Sequence, residues 1–133
     1  LKFVRTIRGL VNQGNQNEQD QEMSDMLEIA CLDFNLSLDK RLDLRAYCRQ
    51  KGWGYETFRK TFKKAIGISP KQYMVRRRMD EACRLLRSGP IRISEIASRL
   101  GYHSQYEFSS QFKRQIGVFP TQFKNGINAQ DDQ

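Results

Sequence analysis

Apolar positions along the chain repeat at an offset of 50 residues. Residues 62–73 and residues 112–123 share Phe, Lys, Ile, Gly, Pro and Gln at matching places. Farther upstream the offset is 49, so that residues 42–53 align with residues 91–102. Self-similarity at a fixed offset indicates an internal duplication. The pattern therefore predicts two copies of one supersecondary unit.

The first copy predicts two helices around a glycine turn. Asp43 is a candidate N-cap for a helix over 44–51, because its carboxylate can accept from the free N–H groups of the first turn. Gly52 then turns the chain, and apolar spacing predicts a second helix over 55–65. Two helices joined by a short turn form a helix-turn-helix motif.

The second copy shows the same order of signals. A helix over 93–100 is followed by Gly101, and Ser104 and Glu107 have the spacing of a capping box at the start of the next helix. We expect Glu107 to be occupied by this cap rather than by a base. The sequence thus predicts a second helix-turn-helix motif.

A helix over 69–88 joins the two copies. Ser69 as N-cap, Pro70 in the first turn and Gln72 closing a capping box agree on where this helix begins. Arg78 lies on its apolar side, and we expect it to pair with a carboxylate and to have a structural role. The predicted fold is therefore all-α, with two helix-turn-helix subdomains joined by a central linker helix.

The N-terminal part of the chain is less regular. Residues 1–11 predict a short amphipathic helix, residues 12–21 are rich in Asn and Gln and indicate a linker, and a helical stripe runs from Glu22 to Leu36. Because the chain begins at Leu1, we expect an upstream domain. The predicted domains are an N-terminal helix and linker at 1–22, a first subdomain with the linker helix at 23–88, a second subdomain at 89–126, and a tail at 127–133.

Charge is distributed unevenly. The net charge is +8, but residues 12–39 hold seven acidic residues and no Lys or Arg, whereas residues 40–124 hold 20 basic and six acidic residues. A region this basic favours a polyanionic partner, and nucleic acid more than an anionic membrane surface. With no apolar run long enough to cross a bilayer and no secretory leader, we expect a cytoplasmic protein without a membrane partner.

The sequence carries no pattern typical of a metal or catalytic site. Cys31, Cys48 and Cys83 are 17 and 35 residues apart, and His103 is the single histidine. A structural zinc site needs about four nitrogen or sulfur ligands at closer paired spacings. We therefore expect no metal site, no cofactor and no enzymatic activity. The cysteines are interpreted as small buried residues, with redox sensing as a less favoured alternative.

Together these residues resemble the AraC/XylS family of bacterial transcription regulators. The resemblance covers about residues 26–124 and rests on the paired Gly-Ile-Ser-Pro and Gly-Val-Phe-Pro segments, the linker-helix run at 78–86 and the sequence at 93–102. It implies two recognition helices in successive major grooves of an asymmetric operator. The chain departs from the family pattern at Cys48 and Gly54, where the family favours Ala and a capping Ser, and at Phe119, where it favours Ser.

The candidate DNA-binding residues lie on the solvent-facing sides of the two recognition helices. With Phe58 and Phe62 inward, the first helix presents Tyr55, Glu56, Arg59, Lys60 and Lys63. The corresponding residues of the second helix are Gln105, Tyr106, Ser109, Ser110, Lys113 and Arg114. These positions coincide with those that the family uses toward DNA.

The two faces differ in chemistry. Arg59 and Lys60 can donate to guanine or phosphate, Glu56 can accept from cytosine, and Gln105 suits adenine. Tyr106 either contacts a sugar or thymine methyl group or covers the core. Residues that would position the protein through phosphates are Lys64, Lys71, Arg92, Arg99 and Arg114.

The expected function is that of a sequence-specific transcription regulator of the activator type. Its expected partners are double-stranded DNA, RNA polymerase, and a second copy of the protein through an upstream domain. A methyl-accepting DNA-repair protein carrying the same module is an alternative, but it would need an activated Cys. A basic adaptor for an acidic partner is another; it shares the charge without needing two matched recognition faces.

Overall fold

The computed structural model describes residues 18–131, with side chains described for residues 18–126. This part of the chain is helical and contains no strand, which confirms the predicted all-α class. None of its helices is long and apolar enough to cross a membrane. The predicted helix over 1–11 lies outside the described residues. The helices are α1 (Glu18–Leu36), α2 (Leu44–Lys51), α3 (Tyr55–Ile66), α4 (Pro70–Arg87), α5 (Ile93–Arg99), α6 (Gln105–Ile116) and α7 (Pro120–Asp131).

The chain divides into two compact units. Unit 1 contains residues 18–37 and 42–74, and unit 2 contains residues 38–41 and 75–131. The change from one unit to the other falls within α4, whereas the repeat pattern placed it after residue 88. The short segment Leu38–Arg41 precedes α2 in sequence but belongs to unit 2.

Aromatic side chains fill the core of unit 1. Phe34, Phe58 and Phe62 are fully buried, and the ring centroids of Phe62 and Tyr73 are 5.4 Å apart at an interplanar angle of 74°. Burying one such side chain stabilises a fold by about 1.5–3 kcal/mol. Helix α1, which supplies Phe34, begins four residues before the predicted Glu22. Its first turn carries Glu18 and Asp20, which interact favourably with the positive end of the helix dipole.

Unit 2 repeats this aromatic arrangement at the expected offset. Phe108 and Phe112 are fully buried, and the ring centroids of Phe112 and Phe123 are 5.7 Å apart at 77°. Met79 of α4 and Ile96 of α5 complete the buried cluster. The matching geometry of the two aromatic clusters supports the internal duplication inferred from sequence.

The predicted turns are present in both units. Gly52 has a φ of 78° and Gly101 has a φ of 80°. Residues that carry a Cβ atom adopt such positive φ values only at an energetic cost. Each turn is closed by a backbone hydrogen bond, from Trp53 N–H to the Cys48 carbonyl at 2.8 Å and from Tyr102 N–H to the Ala97 carbonyl at 3.0 Å. These turns fix where α3 and α6 begin.

Helix caps agree largely with the sequence. Asp43 accepts from the N–H groups of Arg45 and Ala46, as predicted. At the start of α4, Gln72 N–H donates to Ser69 Oγ and the Gln72 side-chain oxygen accepts from Ser69 N–H, which confirms that capping box.

The cap of α6 differs in one detail from the predicted box. Ser104 Oγ accepts from Glu107 N–H at 3.1 Å, as expected. The Glu107 carboxylate, however, accepts from His103 N–H at 3.2 Å rather than from Ser104 N–H. Glu107 is therefore occupied at the helix terminus, one residue farther back than the usual capping box would place it.

The prediction that Arg78 pairs with a carboxylate is wrong. Its guanidinium donates to the backbone carbonyl of Leu38 at 3.0 Å and to that of Lys40 at 3.3 Å. Arg78 is buried, and it lies 5.7 Å from the ring centroid of Tyr102. The cation therefore holds Leu38–Arg41 in unit 2 through carbonyl acceptors.

Candidate nucleic-acid interface

Helix α3 separates an apolar face from a polar one. Phe58 and Phe62 have no exposed surface, and the opposite face is exposed at Glu56, Lys60 and Lys63. Arg59 and Tyr55 on the same side are half-buried. The buried rings anchor the helix, so that its charged side is available to a ligand.

Two candidate residues of α3 bind each other. Arg59 donates to the Glu56 carboxylate at 2.9 Å, one turn away. This hydrogen bond lowers the pKa of Glu56 and raises the pKa of Arg59. Glu56 is therefore held as an acceptor for Arg59, while Arg59 retains N–H groups beyond the one used in the pair.

Arg45 is a further candidate for this interface that the repeat pattern did not single out. Its guanidinium carbon lies 4.3 Å from the ring centroid of Tyr55, although the two residues belong to α2 and α3. Arg45 is exposed, so the cation lies beside the first turn of α3. The sequence could have pointed to Arg45 through its position two residues after the N-cap Asp43, which places it on the first turn of α2.

Helix α6 is organised in the same way with different side chains. Phe108 and Phe112 are buried beneath it, Ser109 and Ser110 are half-buried, and Gln105, Tyr106, Lys113 and Arg114 are exposed. Tyr106 is 81% exposed, which excludes the interpretation that it covers the core. Its ring is therefore available for contact with a ligand.

Lys113, in the last turn of α6, lies close to an aromatic side chain that follows the helix. Its Nζ lies 4.6 Å from the ring centroid of Phe119. A cation over a ring face is attracted by the ring quadrupole, so Phe119 contributes to the placement of the ammonium group. Phe119 N–H donates in turn to the Gln122 side-chain oxygen at 3.0 Å, which partly caps α7 without a Ser.

The first turn of α6 carries an ion pair that the sequence did not reveal. Arg41 forms an ion pair with the carboxylate of Glu107, 66 positions away. The Arg41 guanidinium also lies 6.0 Å from the ring centroid of Tyr102, whose hydroxyl donates to the side-chain oxygen of Gln111 on α6. Contacts at such sequence separation leave no local pattern.

The five residues predicted to contact phosphates are exposed cations. Lys64, Lys71, Arg92 and Arg114 are exposed, and Arg99 is exposed but paired with Glu95 at 2.9 Å. Surface pairs of this kind are weak. Arg99 can therefore exchange its partner for a phosphate at little cost.

The three cysteines are buried, as predicted. Burial raises the pKa of the Cys31 thiol to about 11, and it raises the pKa values of Cys48 and Cys83 as well. Protonated, buried thiols are poor nucleophiles. Within residues 18–131, no group of His, Cys, Asp and Glu side chains is suited to hold a metal ion.

Curated proteins and a family model match the chain in sequence. A family model described as a helix-turn-helix domain matches residues 47–126. The HTH-type transcriptional activator RhaR of Salmonella schwarzengrund (strain CVM19633) is 32% identical over 95 residues, which are 71% of this chain and 34% of that protein. The chain thus spans about a third of the length of the curated relatives it matches first.

Solved structures share the fold. The C-terminal domain of AraT, a response regulator from Geobacillus stearothermophilus, has a TM-score of 0.74 at 28% identity and covers 78% of this chain and 87% of that chain. The DNA-binding domain of AdpA, solved in complex with a target DNA, has a TM-score of 0.73 at 24% identity and covers 80% of this chain and 96% of that chain. The family model, which matches more than half of the chain, and the identity to RhaR show that the chain belongs to the AraC/XylS family and carries its helix-turn-helix domain.

Proposed function

We propose that this chain is the sequence-specific DNA-binding domain of a transcription regulator, with α3 and α6 as its two recognition helices. The observation that carries the proposal is the repeated helix-turn-helix, in which each second helix buries two Phe rings and exposes a polar face. A helix anchored in this way can enter a major groove. We infer that the two helices enter successive major grooves of an asymmetric operator.

In this function, α3 supplies most of the positive charge. Lys60 and Lys63 are exposed and meet phosphates or guanine edges, and Arg59 uses the N–H groups not engaged by Glu56. Arg45 adds a cation beside Tyr55 at the first turn. Because phosphate contacts are insensitive to sequence, α3 contributes affinity on many DNA sequences.

Helix α6 supplies more of the base recognition. Gln105 is exposed at its first position and can form a bidentate contact with adenine. Ser109 and Ser110 are small enough to allow a close approach, and the exposed ring of Tyr106 can contact a sugar or a thymine methyl group. Lys113 and Arg114 then bind the flanking phosphates.

Neither alternative function has a specific observation in its favour. A methyl-accepting repair protein requires a reactive thiol, whereas all three cysteines are buried with raised pKa values. A basic adaptor does not require two helices with matched anchors and exposed polar faces. The chain is therefore proposed to act without catalysis, in the cytoplasm where the chromosome lies.

The relatives support a role in activation. RhaR is named as a transcriptional activator, and we infer that the protein to which this chain belongs contacts RNA polymerase while bound to DNA. A homodimer through an upstream domain would double the number of recognition helices on one operator. Both partners are testable once the operator is known.

The decisive experiment is selection of bound sequences from a random DNA pool, followed by band-shift titration at several salt concentrations. A shared motif should emerge, with two half-sites about one helical turn apart. For about 6–10 phosphate contacts, affinity should fall roughly 10³- to 10⁵-fold between 50 and 200 mM salt. A pool without enrichment, or an affinity insensitive to salt, would overturn the proposal.

A further inference from the structure

An acidic side chain lies in the first turn of the second recognition helix. Glu107 is two residues from the candidate base-contacting Gln105 and one from the exposed Tyr106. A carboxylate at this place repels the phosphates that the helix must approach. The chain therefore needs a means of neutralising it if α6 is to enter a groove.

Arg41 provides that charge from outside the helix-turn-helix motif. It forms an ion pair with the Glu107 carboxylate, and its guanidinium lies 6.0 Å from the Tyr102 ring centroid. The backbone carbonyls of Leu38 and Lys40, in the same segment, accept from the buried Arg78. The cation is thus held on a segment that is itself anchored within unit 2.

The pair is placed to act on binding more than on folding. The Arg41 and Glu107 side chains are 47% and 37% exposed, and ion pairs this exposed add little stability. Glu107 also accepts from His103 N–H, so removing the cation leaves the carboxylate tied to the helix terminus and still charged. Its negative charge would then face an approaching polyanion without compensation.

We propose that Arg41 is a positioning residue for the second recognition helix, neutralising Glu107 so that the first turn of α6 can approach DNA. This inference rests on the proposed DNA-binding function. It assigns a role in binding to Leu38–Arg41, a segment that precedes both helix-turn-helix motifs in sequence. It also predicts that the importance of Arg41 depends on the charge of Glu107.

A double-mutant cycle tests this dependence. Arg41→Ala should weaken binding to the selected operator about fivefold, while Arg41→Lys should stay near the original affinity because it keeps the charge. Glu107→Gln keeps a side-chain acceptor for His103 N–H but removes the charge, so Arg41→Ala in the Glu107→Gln background should have little effect. An equal loss in both backgrounds would overturn the inference, because Arg41 would then contact DNA directly. No loss in either background would overturn it as well.

Arg84 and Glu81 provide a matched control pair. Arg84 donates to Glu81 at 2.6 Å on α4, and its side chain is 64% exposed. The effect of Arg84→Ala on DNA affinity should be the same with Glu81 and with Gln at position 81, so that Glu81→Gln rescues nothing. A rescue equal to that at Arg41 would mean that any ion pair of the domain acts in this way, against a specific role for Arg41.

Thermal unfolding without DNA separates this inference from the proposed function. The change in melting temperature of the Arg41 and Glu107 double variant should differ slightly from the sum of the two single changes, which shows that the two residues are weakly coupled. Absence of operator binding by the unmodified chain would overturn both the proposed function and the role of Arg41 on DNA, while coupled melting would still establish the pair. Coupling in melting but not in DNA affinity would overturn the inference alone, because the pair would then serve only the fold.

Discussion

A Cβ atom on Gly101 would lie 2.1 Å from the backbone oxygen of Asp39. Gly101 also has a φ of 80°, so a side chain there meets both backbone strain and a backbone group that cannot rotate away. Gly101→Ala should therefore destabilise the domain by several kcal/mol, at or above the roughly 4 kcal/mol that marks exceptional substitutions. Urea unfolding followed by circular dichroism measures this loss.

Gly52 is the matched control for Gly101. It occupies the equivalent turn of unit 1 with a φ of 78°, but nothing lies within 4 Å of a Cβ built there. Gly52→Ala should therefore cost about 1–2 kcal/mol from backbone strain alone. Equal losses for the two substitutions would show that the Asp39 carbonyl moves aside without cost.

The chemical difference between α3 and α6 predicts different binding defects. Lys60→Ala should lower the affinity for specific and scrambled duplexes together and reduce the salt slope by about 1, because a phosphate contact is lost. Gln105→Ala should cost about 1–3 kcal/mol on the specific duplex alone, because a base contact is lost. Competition titrations against both duplexes measure these effects. Loss of discrimination at one base pair in Lys60→Ala, with a uniform loss in Gln105→Ala, would reverse the assigned roles.

The two recognition helices begin with different caps, which predicts opposite effects on stability. Ser104→Ala removes the acceptor for Glu107 N–H and should destabilise the domain by about 0.5–2 kcal/mol. Gly54→Ser should stabilise it by a few tenths of a kcal/mol, because the new hydroxyl can accept from Thr57 N–H. A Cβ at Gly54 meets its nearest atom, Thr57 Oγ1, at an ordinary 3.7 Å. Thermal unfolding of both variants checks the signs, and a lower melting temperature for Gly54→Ser would contradict the second.

Burial of Cys31 predicts a loss of stability in alkaline solution. Burial raises the pKa of its thiol from 9.0 to about 11, although a hydrogen bond with Tyr73 acts in the opposite direction. Between these values the unfolded chain releases a proton that the folded chain retains, so stability falls as pH rises through this window. The full difference corresponds to about 3 kcal/mol.

Cys31→Ala removes this contribution. Burial and the neighbouring Asp33 also raise the pKa of Tyr47, and the Cys31 thiolate adds a smaller contribution in the same direction, so most of the Tyr47 effect on the alkaline decline stays in the variant. Unfolding free energies measured between about pH 8 and pH 11 should therefore fall less for Cys31→Ala. Identical slopes for the two proteins would mean that the Cys31 thiol does not ionise differently on unfolding.

Local signals made most of the helices predictable. Asp43 and the reciprocal bonds of Ser69 and Gln72 involve residues two or three positions apart, so their chemistry is visible in the sequence. The same is true of the apolar spacing that buries Phe58 and Phe62. The start of α1 was missed because a Gln-rich composition was interpreted as a linker, although the acidic first turn favours a helix.

Contacts between distant positions could not be predicted. Arg78 donates to carbonyls about 40 positions away, and carbonyl groups have no residue type by which to recognise them. A buried cation suggested a carboxylate partner, but the backbone supplied the acceptors. The Arg45 and Tyr55 contact was missed for a related reason, since it depends on how α2 packs on α3. The assigned DNA-contacting residues stay predictions, because contacts to bases depend on the docked geometry.

The placement of Leu38–Arg41 in unit 2 affects how this domain can be recombined with its relatives. A hybrid regulator made by a single crossover between the repeats would inherit α5, α6 and α7 from one parent and residues 38–41 from the other. Gly101 would then face a foreign backbone segment, and Glu107 would face whichever side chain stands at position 41. The transferable unit of the second motif is therefore discontinuous in the gene, and a graft that preserves it must carry codons 38–41 along with the C-terminal half.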